Sequence, residues 1–241
     1  MLEVLKTHVE GFDEALGGGV PKGSVVLVEG EPGSMKSTLV YNILHGCASK
    51  DDMDCLYITL EQRKVSLETQ METMGFEKEE AFGKLAIMDV VEYRKQMETL
   101  SGDKIWLDFL KKCVEMRRDV GNIDVVAIDS LDALEALSDF GDRRIMIYTL
   151  FEWLRDCEFT TFLVAETGPE FILHGHEIIP QKNDAEYLAD AIISLEMKRM
   201  DDYQVQRRVR CVKMRKQNHE TANFAMMFDK GSFKVVKAVS V

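Results

Sequence analysis

The residues best equipped for chemistry run from Gly30 to Thr38, Gly30-Glu31-Pro32-Gly33-Ser34-Met35-Lys36-Ser37-Thr38. Glycine-bearing turns of this length aim backbone N–H groups inward, and a following helix adds the positive end of its dipole. Lys36 would reach the β- and γ-phosphates of a nucleotide, and the Ser37 hydroxyl would help hold Mg²⁺. The expected binding residues are Gly30, Gly33, Ser34, Met35, Lys36, Ser37 and Thr38, with a nucleotide and Mg²⁺ as the ligands. One position breaks the usual G-x-x-x-x-G-K-[ST] pattern, because Met35 stands where glycine is normal. Either Met35 carries strain on the order of 1 kcal/mol, or the turn is shaped differently. The bland alternative is a glycine turn that merely joins a strand to a helix.

Acidic partners follow downstream. Ile123-Asp124-Val125-Val126-Ala127-Ile128-Asp129-Ser130 is an apolar, β-rich run ending in an acid. A carboxylate there can hold the water shell of Mg²⁺ beside Ser37, although Asp129 could instead cap the next helix. Glu61 closes a second strand, Cys55 to Leu60, and Glu166 closes a third, Thr160 to Ala165. His174-Gly175-His176 offers two nitrogens without a third ligand, the pattern of a solvated loop.

These groups need elements to carry them. Val25 to Val28 reads as a buried strand, and Leu39, Val40, Ile43, Leu44 and Cys47 have the spacing of a helix's inner face. Residues Thr7 to Leu16 can form a short helix stopped by Gly17-Gly18-Gly19. Helices are expected over 65–74, 105–120 and 141–157, and a short strand over 85–88. The polar segment 92–102 has no clear period, and 168–184 reads as a loop-like insertion. Residues 191–197, 205–214, 224–228 and 233–239 read as strands joined in antiparallel hairpins. The expected fold class is α/β, a central mostly parallel sheet flanked by helices with C-terminal antiparallel strands. Residues 1–241 are expected to form one domain. Loop 30–38, Glu61, Asp129 and Glu166 would then share the carboxyl edge of the sheet, where such folds bind ligands.

Composition narrows the function. A chain of 241 residues, 46% hydrophobic, can bury a sizeable core, and no stretch is long and apolar enough for a membrane span. The start lacks the layout of a secretory signal, so a cytoplasmic, soluble protein is expected. The formal charge of −12 argues against a general nucleic-acid footprint. Cys47, Cys55, Cys113, Cys157 and Cys211 are scattered without a C-x-x-C pair, which favours buried free thiols over disulfides or zinc ligands.

With these motifs in hand, the chain resembles the RecA superfamily, and within it the single-domain KaiC-like ATPases common in archaea. The likeness is carried by Gly11-Phe12-Asp13-Glu14 with Gly17 to Gly23, the phosphate loop, Tyr57-Ile58-Thr59-Leu60-Glu61, Ala127-Ile128-Asp129-Ser130, Glu186 to Asp190, and Lys213-Met214-Arg215 followed by His219. The resemblance implies an ATPase assembled as a homo-oligomer, often a hexameric ring, with ATP between subunits. It places Glu61 at the catalytic glutamate, with Gln62 where a second acid is usual. It matches Lys213 and Arg215 to cations that reach the neighbouring subunit's nucleotide; alternation alone would leave both on a solvated strand face. Three functions compete: a slow regulatory ATPase with a possible protein partner or autokinase activity, a nucleotide-dependent binding module without turnover, and a RecA- or RadA-type recombination ATPase.

Overall fold

The computed structural model describes residues 2–90, 92, 106–137, 143–167, 171–174, 177–180, 184–201 and 203–238. The lead-in contains strand β1 (Val4–Leu5), helix α1 (Phe12–Ala15) and strand β2 (Val20–Pro21), with β1 and β2 paired antiparallel. Helix α1 is shorter than the one expected over 7–16. The Thr7 backbone N–H and hydroxyl both donate to Asp13 Oδ1, at 2.8 and 2.9 Å, and these side-chain bonds compete with a helical turn.

Strand and helix then alternate as β3 (Val25–Gly30), α2 (Lys36–Lys50), β4 (Cys55–Thr59), α3 (Lys64–Thr73), β5 (Leu85–Asp89), α4 (Trp106–Val120), β6 (Val125–Asp129), α5 (Leu131–Leu137), α6 (Arg143–Asp156) and β7 (Thr160–Glu166). The chain continues through β8 (Phe171–His174), β9 (Glu177–Pro180), α7 (Asp184–Leu188), β10 (Ala191–Arg199), β11 (Val205–Met214), β12 (Phe224–Asp229) and β13 (Ser232–Lys237). Segment 168–184 therefore differs from the expected loop, because β8 and β9 pair antiparallel within it. Runs of four residues are too short for alternation to announce a strand. Gly175 and His176 of the H-x-H motif lie outside the described residues, as do 93–102, Gly141 and Val239.

Nine strands form one sheet in the order β13-β12-β11-β10-β3-β7-β6-β4-β5. Pairs from β10 through β3, β7, β6 and β4 to β5 are parallel, whereas β10–β11, β11–β12 and β12–β13 are antiparallel. This is the expected α/β architecture. Alternating residues of the parallel strands feed two apolar layers. On one face Val26, Val28 and Tyr57 pack with α1, α2 and α3; on the other Val25, Leu27 and Ile58 pack with α4, α5 and α6. Helix α2 is buried far beyond its predicted inner face, because the lead-in covers its other side with Leu5, Val9 and Phe12. The phosphate loop is thus mounted between a fully buried strand and a nearly fully buried helix.

Candidate active site

The loop leaves β3 at Gly30, where strand pairing to Leu195 and Glu166 ends. A Cβ at Gly30 would lie 2.4 Å from the Leu195 carbonyl oxygen and 2.8 Å from Ser34 Oγ, so only glycine lets the strand and loop pack this closely. Met35 does adopt the left-handed conformation, with φ 75° and ψ 29°, immediately before α2. Of the two sequence-based options, strain rather than a different turn is realised. Its half-buried side chain packs on the core beside α2, which offsets a cost of about 1–2 kcal/mol.

Lys36 is buried, and its Nζ donates to the loop's own carbonyls, Gly30 O at 2.8 Å and Glu31 O at 3.2 Å. The Ser34 hydroxyl is buried and has no partner among the described residues. A donor-rich loop with an orphaned hydroxyl and a re-aimable ammonium is suited to phosphate oxygens. From outside, the β10–β11 pair braces the loop: Met197 N donates to Glu31 Oε1 at 2.9 Å, and Arg207 Nε to Gly33 O at 3.3 Å.

Asp129, at the end of β6, is brought to the start of α2. Its carboxylate accepts from the Ser37 hydroxyl and, at 2.5 Å, from the hydroxyl of fully buried Tyr57. Burial raises the Asp129 pKa, the two hydrogen bonds lower it, and the Glu61 charge raises it further. A divalent cation would relieve the net penalty, so the donor set of Ser37 and Asp129 fits Mg²⁺. Asp129 does not act as the plain N-cap of α5. That bond comes from the next residue, Ser130, whose hydroxyl accepts from Ala133 N at 3.2 Å.

Glu61 follows β4, next to β6 in the sheet, and accepts a hydrogen bond from the Ser130 hydroxyl. Its side chain is exposed. Gln62 turns away along α3, its Nε2 donating to Ser66 Oγ at 2.9 Å and Gln70 Oε1 at 3.0 Å. Glu166 lies at the same edge but is exposed, its N–H held by Asp132 Oδ2 at 2.7 Å.

Lys213 and Arg215 do not join this group. In the register, Met214 pairs with Ala191 while Gly30 pairs with Leu195. Four strand positions, roughly 13 Å, separate the two levels. Lys213 Nζ donates to the carbonyls of Glu186 and Tyr187 at 2.9 and 3.1 Å. Arg215 donates to Tyr187 O at 3.1 Å and Asp190 Oδ1 at 3.2 Å. Neither can serve the loop of its own chain.

Sequence reading missed Tyr57, Ser130, Arg207 and Glu29. Tyr57 had a legible signal, being two positions before Thr59 on the face of β4 that looks toward α2. Arg207 had none, since its contact spans 174 residues. Glu29, buried in β3 with Oε2 unpaired, has its pKa pushed up to about 7 by burial and then by Glu186, with Arg210 opposing.

Comparison with known proteins decides the family. The family model described as "ATPase: KaiC" matches residues 5–240. The chain belongs to the KaiC-like ATPases. Similar proteins include a UPF0273 protein of Aeropyrum pernix, 27% identical over 212 residues that cover 83% of this chain and 81% of that protein. A UPF0273 protein of Sulfurisphaera tokodaii is 37% identical over 87 residues, 35% of this chain and 31% of the relative. The DNA repair protein RadA of Aquifex aeolicus is 24% identical over 199 residues, and that match spans 83% of this chain but 39% of RadA. The crystal structure of a KaiC-like protein from Pyrococcus horikoshii superposes with a TM-score of 0.81 at 22% identity, covering 98% of this chain and all of that one. The KaiC-like fold thus extends through the antiparallel strands. Among the described residues, no helix is long and apolar enough to cross a membrane.

Proposed function

We propose that this KaiC-like protein binds MgATP on loop 30–38 and hydrolyses it slowly between subunits of a homo-oligomeric, six-membered ring in the cytoplasm, as a regulatory ATPase acting on a protein partner. The observation that carries the reading is the meeting of Lys36, Ser37, Asp129 and Glu61 at one sheet edge. Lys36 exchanges its loop carbonyls for phosphate oxygens, while loop N–H groups hold the remaining charge. Ser37 and Asp129 hold Mg²⁺, which when bound neutralises charge on the phosphates. Glu61, kept in place by Ser130, orients the attacking water and takes its proton. Lys213 and Arg215 face a second copy and supply cations to its site. Slow turnover follows from Gln62, whose amide is committed to α3 instead of offering a second carboxylate.

The decisive experiment measures phosphate release and particle mass together, with and without ATP and Mg²⁺, for the native chain and Glu61→Gln. Turnover by an ATP-dependent oligomer, lost in Glu61→Gln with binding retained, is the expected result. Tight ATP binding with no phosphate release under any condition would replace it with the binding-module reading that Gln62 motivates. The similarity to RadA keeps a DNA-directed ATPase as the third outcome. Salt-sensitive, nanomolar binding to single-stranded DNA would favour it over the formal charge of −12.

A further inference from the structure

At the far end of α2 from the phosphate loop lies a mixed cluster that the ATPase reading does not use. Cys47 and Asp51 are four positions apart where the helix ends, so they share a side. His8 meets them from the lead-in. One ligand atom from each of the three lies within 4.8 Å of the other two, and His8 Nε2 is 2.8 Å from Asp51 Oδ2. Three features make this more than a surface ion pair.

His8 is held in the left-handed region at φ 56°, an uncommon state for a residue with a side chain. Its ring lies against Gly46, where a Cβ would come within 2.5–2.7 Å of three His8 atoms. A mid-helix glycine costs about 1 kcal/mol relative to alanine, and here that cost admits the imidazole. The segment around His8 is also fixed from several sides. Asn42 Nδ2 donates to Thr7 O at 3.3 Å, Val9 N to Thr7 Oγ1 at 3.3 Å, and Asp13 anchors Thr7. Finally, the cluster is graded in exposure: Cys47 is fully buried, His8 half-buried and Asp51 exposed. Asp13 and Asp124 add negative charge around the sulfur. Ligand atoms held rigidly and open to solvent on one side have the form of a small transition-metal site.

We propose that His8, Cys47 and Asp51 bind one zinc ion, with water in the fourth position. Imidazole nitrogen, thiolate and carboxylate are all zinc ligands, and tetrahedral bonds of about 2.0–2.3 Å set ligand atoms roughly 3.3–3.6 Å apart. With one pair at 2.8 Å and all three atoms within 4.8 Å of one another, small side-chain shifts reach that geometry. Loading breaks the Cys47 S–H bond and releases that proton to solvent, and gives up the sulfur's long contact to Lys6 O at 3.6 Å. It also replaces the His8–Asp51 hydrogen bond, whose proton moves to the other ring nitrogen or leaves to solvent. The bound ion clips the lead-in to the helix whose other end carries Lys36 and Ser37. The scattered cysteines hid this in the sequence, since the third ligand lies 39 residues from Cys47.

The test titrates the full chain, freed of metal, with Co²⁺ as a spectroscopic probe in the presence of saturating Mg²⁺ and ATP. One Co²⁺ per chain should bind, with a thiolate-to-cobalt charge-transfer band. That band should vanish in Cys47→Ser, and affinity should fall at least tenfold in Asp51→Asn, an exposed position that leaves the core untouched. Zn²⁺ should displace Co²⁺ and raise the thermal midpoint of the native chain but not of Asp51→Asn. Absence of the band, or its survival in Cys47→Ser, overturns the site. So does Co²⁺ binding that Mg²⁺ and ATP abolish, or affinity unchanged in Asp51→Asn. None of these outcomes depends on ATP turnover.

Discussion

Two ends of the β10–β11 pair lie beside cations in different settings. Beside the carboxyl edge, Lys36 opens α2 behind a loop braced by Met197 and Arg207, Ser37 follows it on the helix, and neighbouring strands of the same chain deliver Asp129 and Glu61. At the amino end of β10, Lys213 and Arg215 are tied, among the described residues, to carbonyls of α7 and to Asp190. The first end has every partner that phosphate chemistry asks for. The second has cations fixed in position with donors to spare, since an ammonium offers three and a guanidinium five. Asp190 is itself shared, accepting from Val25 N at 3.1 Å and facing Arg155 at 3.5 Å, so Arg215 is oriented without being used up. The contrast fits the proposed reading, in which one half of the machine is complete in a single chain and the other half acts against a second copy.

The largest expected effect breaks the comparison at its weaker end. Replacing Lys213 and Arg215 together with Ala should lower turnover by about 10³-fold or more while ATP affinity stays within a few-fold, because a charge supplied in trans acts on the transition state. Mixing that variant with Glu61→Gln chains should restore part of the phosphate release. Some interfaces then pair an intact Glu61 with intact cations of the neighbour. No recovery on mixing, with both variants still assembling, would put the two cations outside the reaction.

Next in size is Lys36→Ala, aimed at the stronger end. Loss of two or more charge-assisted bonds to phosphate, each about 1.5–3 kcal/mol, should weaken MgATP binding by about 100-fold or more. Fluorescent-nucleotide titration measures it, and unchanged affinity would refute the loop as the binding site. The fold should be undisturbed, since Nζ bonds only to the carbonyls of Gly30 and Glu31.

The two ends were also unequally legible. Strand, glycine turn, lysine and hydroxyl are local, so the sequence announced loop 30–38 and placed Asp129 and Glu61 at strand ends correctly. The opposite end rested on resemblance, because strand alternation by itself leaves Lys213 and Arg215 on an open face. What stayed hidden was contact across long separations: Tyr57 to Asp129 spans 72 residues, Glu31 to Met197 166, and Arg207 to Gly33 174. The lead-in failed for a different reason. Its helical spacing is genuine, but the bonds from Thr7 to Asp13 outcompete the first turns.

Glu29 lies between the two ends, one residue before Gly30, with Glu186 of α7 and Arg210 of β11 in its field. Its pKa is raised from 4.5 to about 7, so the folded state prefers the protonated acid. The corresponding stability is complete below pH 4.5 and is lost as pH rises through about 7. Glu29→Gln, which keeps the shape and removes the charge, should stabilise the chain by roughly 2–3 kcal/mol at pH 8 and by almost nothing at pH 4. Urea unfolding at the two pH values checks this. An equal gain at both would mean that the orphaned oxygen, not ionisation, is what the strand tolerates poorly.

The smallest effect concerns Met35, and it sharpens what the phosphate loop requires. At φ 75° a methionine costs about 1–2 kcal/mol, and glycine would remove that cost. Its side chain, however, is half-buried against the core, and losing it forfeits a similar amount. Met35→Gly should therefore change stability by less than about 1 kcal/mol and ATP affinity by less than about threefold. The loop already holds the conformation that glycine would give it, and its backbone donors do not depend on the side chain. Met35→Val separates the two contributions: a β-branched residue keeps apolar contact but tolerates positive φ poorly, so it should destabilise by about 1–3 kcal/mol. If Val were instead as stable as Met, the left-handed turn would not be what this position has to supply.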